Sequence, residues 1–222
     1  MINIQEDRMK IISHRGFWTD DSKKNTADAF IRSLKYGYGI ETDVRDYNGE
    51  LVISHDIPSQ VIYSFDEFLA TYCKFSEKKA TSLCIAINIK SDGLQNKVKK
   101  LLDKYKIQDY FVFDMSVPDT ISYIEQGVVT FSRVSELESN NTLNSMANGI
   151  WLDQFYGDWY EADLIKELIN SYNQVCIVSP ELHNRSKDRC WEILLQLPEK
   201  FRSKIILCTD LPDKAKEFFY EK

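Results

Sequence analysis

Six residues near the start of the chain are of types that do chemistry, and they stand in or directly after apolar runs. His14 and Arg15 follow "MKIIS", His55 and Asp56 follow "LVIS", and between them "GIETDV" carries Glu41 and Asp43. The whole chain holds only three histidines, so two in this stretch is a concentration. An imidazole changes protonation near neutral pH, and a pair can divide acid and base work. Side chains alternate along a strand, which puts Glu41 and Asp43 on one face and Ile40, Thr42 and Val44 on the other. Two carboxylates on one face repel unless a cation bridges them, so the pair reads as a divalent-metal site. Arg15 offers a planar fork suited to phosphate oxygens. His183, in "SPELHNRSKD", has no such company and reads as a surface residue.

These side chains must be positioned by strands. "MKIIS", "GIETDV", "LVIS", "LCIAINIK", "YFVFDM", "VVTFSRV", "GIWLD", "QVCIVS" and "KIILCT" are short, rich in β-branched and aromatic residues, and bounded by turn formers. Helical spacing of apolar residues fills most of the intervals: "TADAFIRSLKYG", "FDEFLATYCKF", "LQNKVKKLLDKY", "TISYIEQ", "EADLIKELINSY", "RCWEILLQL" and "KAKEFFYE". Asn25 is the expected cap of the first helix and Gly37 its stop. About eight β-α units predict parallel strands covered by helices, as a (β/α)8 barrel. An open doubly wound sheet is the alternative, but no GxGxxG follows the first strand. In a barrel, polar residues at strand ends point into the mouth where loops build active sites. Asp114, Arg133, Asp153, Glu181 and Asp210 also stand at such ends. For Asp153, Glu181 and Asp210, helix capping and solvation are the expected roles.

The totals fit one domain over 1–222. With 222 residues, 43% of them hydrophobic, the chain can bury a substantial core. A net charge of -6 argues against nucleic acid and anionic membrane as partners, though a local positive site can still hold one phosphate. Five cysteines without a CxxC pair imply free thiols and a reducing compartment, with Cys84, Cys176 and Cys208 inside apolar runs. "MINIQEDRMK" lacks an apolar signal core, and no run approaches the ~20 apolar residues of a membrane span. The expectation is a cytoplasmic protein without stable membrane insertion. Its oligomeric state is not legible.

The ordered set "SHRG", "NTADAF", "IETDVR", "NGELVISHD" and a terminal "CTDLP" resembles the glycerophosphodiester phosphodiesterases. Those are (β/α)8 barrels within the wider group of phospholipase C-like phosphodiesterases. The match is dense over Ile11 to Asp56, thinner at "AINIK", and returns at "CTDLP". The resemblance implies a small-molecule phosphodiester substrate and a divalent cofactor, Mg²⁺ or Ca²⁺, held by Glu41 and Asp43. It implies catalysis by His14 and His55 as acid and base, with Arg15 and Lys90 on the phosphate.

Three departures from the family pattern stand out. The family's "PEN" reads "KKN", placing Lys24 beside Asn25. The strand that supplies a third metal-binding glutamate reads "INIK", with Asn88 in its place; an amide oxygen can still ligate a hard cation, one negative charge short. Asp56 or Asp114 is the candidate to replace that charge. Only "IPSQVIYS" separates Asp56 from the next helix, so the usual insertion subdomain is reduced or absent. The alternatives are a catalytically weak barrel that binds a phosphorylated ligand, which Asn88 favours, and a metal-dependent sugar-phosphate enzyme on the same fold.

Overall fold

The structure, a computed structural model, describes residues 8–60, 63–79, 83–138 and 142–221. They fall into two compact units. One is Ser13–Thr130, and the other joins the segment ending at Ile12 to the chain from Phe131 onward. The first strand, β1 (Lys10–His14), passes from one to the other.

The Ser13–Thr130 unit continues with α1 (Ala27–Tyr36), β2 (Gly39–Tyr47), β3 (Glu50–Ile53), α2 (Phe65–Lys79), β4 (Ile85–Ile89), α3 (Gln95–Lys104), β5 (Tyr110–Phe113) and α4 (Val117–Glu125). Strand β4 lies parallel between β2 and β5, in a register that sets Glu41 beside Ala86 and Asp43 beside Asn88. Ile40, Val44, Ile85, Ile87 and Ile89 pack with Phe30, Leu34, Phe65, Phe68, Leu69, Val98 and Leu102 in one buried cluster. Alternation along each strand is the cause: apolar positions go to the helices, and the intervening Glu41, Asp43 and Asn88 are left opposite.

Two local expectations are corrected. "LVIS" does not begin a parallel unit. Asn48 and Gly49, both at positive φ, turn the chain so that β3 returns antiparallel along β2, Val44 facing Ile53. Asn-Gly at two left-handed positions is the favoured chemistry for that turn. The first helix is capped by Thr26, whose hydroxyl accepts from the Ala29 amide, and Asn25 stays outside it. Gly37, left-handed, ends the helix as expected.

In the other unit β6 (Phe131–Val134), β7 (Gly149–Leu152), β8 (Gln174–Val178) and β9 (Ile205–Thr209) pair in parallel, in that spatial order. They are joined by α5 (Ala162–Ser171), α6 (Asp188–Gln196) and the short α7 (Glu199–Arg202), and α8 (Pro212–Tyr220) follows. Between β6 and β7 the described chain forms only a 3-10 turn, Thr142–Met146. The five cysteines are free thiols, and Cys84, Cys176 and Cys208 are buried as expected. Among the described residues, no helix is long and apolar enough to cross a membrane.

Gly16 is where packing and backbone coincide. Its φ is +85°, and a Cβ there would stand 2.8 Å from the Ala29 Cβ and 3.0 Å from the Phe30 ring. Gly16→Ala is therefore expected to destabilise the protein by about 1–3 kcal/mol, from strain at positive φ plus overpacking against α1. Urea unfolding checks this, and an unchanged midpoint would contradict it.

Candidate active site

All seven site residues expected from sequence lie within Ser13–Thr130. Strand β2 supplies Glu41 and Asp43, 1% and 0% exposed, and β4 supplies Asn88, 8% exposed, with Lys90 just beyond its end. Asp43 is the most heavily engaged. The Arg15 Nε stands 2.9 Å from its Oδ2, the Lys90 ammonium 3.4 Å from its Oδ1, and the Asn25 amide donates to Oδ2 at 2.8 Å. Glu41 has different company. Its Oε2 accepts from the Arg15 backbone N–H at 3.0 Å, and the His14 Nε2 lies 3.9 Å away. Lys90 also reaches Asp114, at 3.6 Å.

The β1–α1 loop makes these contacts possible by an uncommon backbone. Arg15 and Gly16 are both left-handed, at φ 55° and 85°. For a non-glycine this is a costly conformation, and here it turns the Arg15 amide onto Glu41 while its side chain reaches Asp43. The loop is closed by the Asn25 amide donating to the Arg15 carbonyl at 2.9 Å. Asn25 also accepts from the Thr42 hydroxyl at 3.0 Å, so it ties loop to strand at both ends of its amide. Sequence reasoning placed Asn25 at a helix cap and missed this role. The available signal was redundancy: Thr26 next to it can cap, which frees Asn25 for other work.

His55 arrives differently from His14. It follows the antiparallel β3, its side chain is about half exposed, and its Nδ1 is 2.8 Å from the Asp56 Oδ1. Arg45 donates to the His55 carbonyl at 3.2 Å. Asp56 is held below the usual carboxylate range by the His55 hydrogen bond and charge. The structure thus gathers His14, Arg15, Glu41, Asp43 and Lys90 by direct contact, sets Asn88 beside Asp43 in register, and leaves His55 on the neighbouring hairpin. Of the two acids considered as replacement charge, Asp114 approaches Lys90 and Asp56 turns to His55.

The other unit corrects three expectations. His183 is not a bare surface residue. Its Nε2 is 2.7 Å from the buried Asp153 carboxylate, and its ring packs on Phe155 at 5.0 Å. Asp153 serves that pair and accepts from the Gln154 amide, rather than capping the helix that starts at Ala162. Glu181 gathers the Ser179 and Thr209 hydroxyls and the Asp210 amide, which likewise is not helix capping. His183 lies thirty positions from Asp153, and Asp210 twenty-nine from Glu181, so no local pattern reveals those partners.

The electrostatics of the carboxylate pair are asymmetric. Burial, and then the charge of Asp43, push the Glu41 carboxyl up to about 7, while His14 and Arg15 act in the opposite sense. Two buried oxygens, Asp43 Oδ1 and Asn88 Oδ1, accept no hydrogen bond. The Asp43 oxygen is met only by the Lys90 charge, and the Asn88 oxygen beside it is an orphaned acceptor that fits a hard cation with oxygen ligands. Among the described residues no three of His, Cys, Asp and Glu form a metal-binding cluster.

No family model and no curated protein sequence matches the chain. Solved structures do. A protein described as a glycerophosphoryl diester phosphodiesterase, from Silicibacter pomeroyi, superposes with a TM-score of 0.70 at 12% identity, covering 96% of this chain and 94% of its own. An Oleispira antarctica phosphodiesterase, solved with the product sn-glycerol-3-phosphate, gives 0.67 at 14% identity, over 94% and 96%. A Ca²⁺-dependent phosphatidylinositol-specific phospholipase C from Streptomyces antibioticus gives 0.56 at 10%, over 95% and 97%. Likeness at these identities establishes the fold, and function must be argued from the site. The chain is a (β/α)8 barrel whose structural neighbours include phosphodiesterases.

The raised Glu41 carboxyl has a consequence for stability. Its proton is held more tightly in the folded state than at the ordinary value of 4.5. The stabilisation is fully present below that value and is lost as pH rises through about 7. In chelator, wild type is therefore expected to lose melting temperature relative to Glu41→Gln across that window. Parallel melting curves for the two proteins from pH 4 to 8 would refute the assignment.

Proposed function

We propose that this protein is a metal-dependent phosphodiester hydrolase acting on a glycerophosphodiester or related polyol phosphodiester. The observation that carries the reading is the buried Glu41–Asp43 pair, with Arg15 and Lys90 on Asp43 and a buried Asn88 oxygen that accepts no hydrogen bond beside it. Glu41, Asp43 and the Asn88 amide oxygen would hold a divalent cation, Mg²⁺ or Ca²⁺, which when bound neutralises a phosphodiester oxygen as a Lewis acid. Arg15 uses one nitrogen on Asp43 and has its remaining guanidinium edge for a nonbridging oxygen. Lys90, shared between Asp43 and Asp114, adds a second positive charge on that side. One of His14 and His55 takes the proton of the attacking hydroxyl as its oxygen bonds to phosphorus. The other returns a proton to the alkoxide as the leaving P–O bond breaks. The attacking hydroxyl is either the substrate's own neighbouring hydroxyl or water.

One observation favours a second reading, a barrel that binds a phosphorylated ligand with little turnover: the His55 ring is half exposed and engaged by Asp56. Hydrolysis of bis(p-nitrophenyl) phosphate and glycerophosphocholine with Mg²⁺, Mn²⁺ or Ca²⁺ separates the two. His14→Ala and His55→Ala are each expected to lower kcat by about 100-fold or more, the usual weight of a positioned acid or base. Activity that survives both substitutions would overturn the mechanism, and phosphate binding without turnover would favour the binding module. Calorimetric titration with Mg²⁺ and Ca²⁺ tests the cation site, with binding expected in wild type and lost in Glu41→Gln. Identical silence from both proteins removes the metal from the reading.

A further inference from the structure

The loop from Arg15 to Asn25 is anchored at both ends in the carboxylate centre, by Arg15 on Glu41 and Asp43 and by Asn25 on Asp43. Its two ends meet through the Asn25 amide and the Arg15 carbonyl, which makes it a compact closed loop of the kind that carries function. Phe17 is buried beneath it, its amide bonded to the Ala29 carbonyl and the Ser33 hydroxyl. Beside the exposed Asp20, Asp21 and Lys23 the loop holds a half-buried pair. The Trp18 indole N–H donates to the His14 carbonyl at 3.0 Å, and the Lys24 ammonium stands 4.5 Å from the centre of the Trp18 ring. Lys24 also meets Asp21 at 2.8 Å, but that carboxylate is 83% exposed, and so solvated a pair holds the ammonium weakly.

An aromatic face next to a reacting centre attracts cations such as quaternary ammonium groups. Here the protein's own ammonium already occupies that face and repels a second positive charge. We infer that the Trp18–Lys24 shelf selects the substrate by the charge on its leaving alcohol, favouring phosphodiesters whose leaving group carries an anionic substituent over those carrying a cation. Trp18 holds the ammonium in place and fixes the shelf to His14, while Lys24 supplies the charge that is read. This inference rests on the hydrolytic reading for its chemistry, and on the shelf's geometry for its specificity.

The test compares kcat/KM for glycerophosphoinositol 4-phosphate and glycerophosphocholine in wild type and Lys24→Glu, with folding checked by circular dichroism. Wild type is expected to prefer the anionic substrate by about three- to fivefold, the weight of one partly exposed charge contact, and Lys24→Glu to erase or invert that preference. An equal ratio in the two proteins would overturn the inference. Bis(p-nitrophenyl) phosphate reports separately whether the chemistry occurs. If no substrate is cleaved, the hydrolytic reading fails, and calorimetric binding of inositol 4-phosphate decides the shelf by itself. Affinity in wild type that Lys24→Glu weakens about tenfold would support it, and equal or absent binding would reject it.

Discussion

A carboxylate with no solvent exposure, Asp43, is the constraint on which the Ser13–Thr130 unit depends. Taking such a group out of water costs several kcal/mol unless charges and hydrogen bonds replace the lost hydration. Three side chains from three places in the chain do so: Arg15 from the loop after β1, Asn25 from just before α1, and Lys90 from the end of β4. The left-handed turn at Arg15 and Gly16 and the close approach of Gly16 to α1 accompany the reach of Arg15 to Asp43.

Its neighbour on the same strand face has the opposite lot. Glu41 receives a backbone N–H and a distant imidazole, with no cation in contact, and burial beside Asp43 makes its ionisation unfavourable. One acid is compensated by the protein and the other is left wanting positive charge. That inequality, together with a buried Asn88 oxygen that accepts no hydrogen bond, is what separates this arrangement from an ordinary buried ion pair. A purely structural network gains nothing from leaving acceptors unsatisfied.

The barrel shared with phosphodiesterases at 10–14% identity explains why polar residues gather at strand ends, since that is where the fold concentrates its loops. It does not say what the residues do. The contribution of this chain is local: a lysine over a tryptophan on the first loop, an asparagine in register with the buried Asp43, and a second histidine carried on a tight hairpin.

The period-two pattern of "GIETDV" and "CIAINIK" by itself determined which residues share a face. It therefore separated Glu41, Asp43 and Asn88 from the isoleucines that pack beneath the helices, because alternation is a property of the extended backbone alone. The turn chemistry of Gly37 was legible for the same reason. Asn48-Gly49 carries the hairpin signal too, although the apolar run after it has the same composition as a parallel strand. What only the tertiary structure decided is partnership. Asn25 lies eighteen positions from Asp43 and His183 thirty from Asp153, and neither pair shares an element. A side chain that locally suits a cap or a solvated surface is drawn elsewhere when a buried carboxylate across the fold would otherwise be uncompensated. That demand is set by burial, which exists only once the chain has folded.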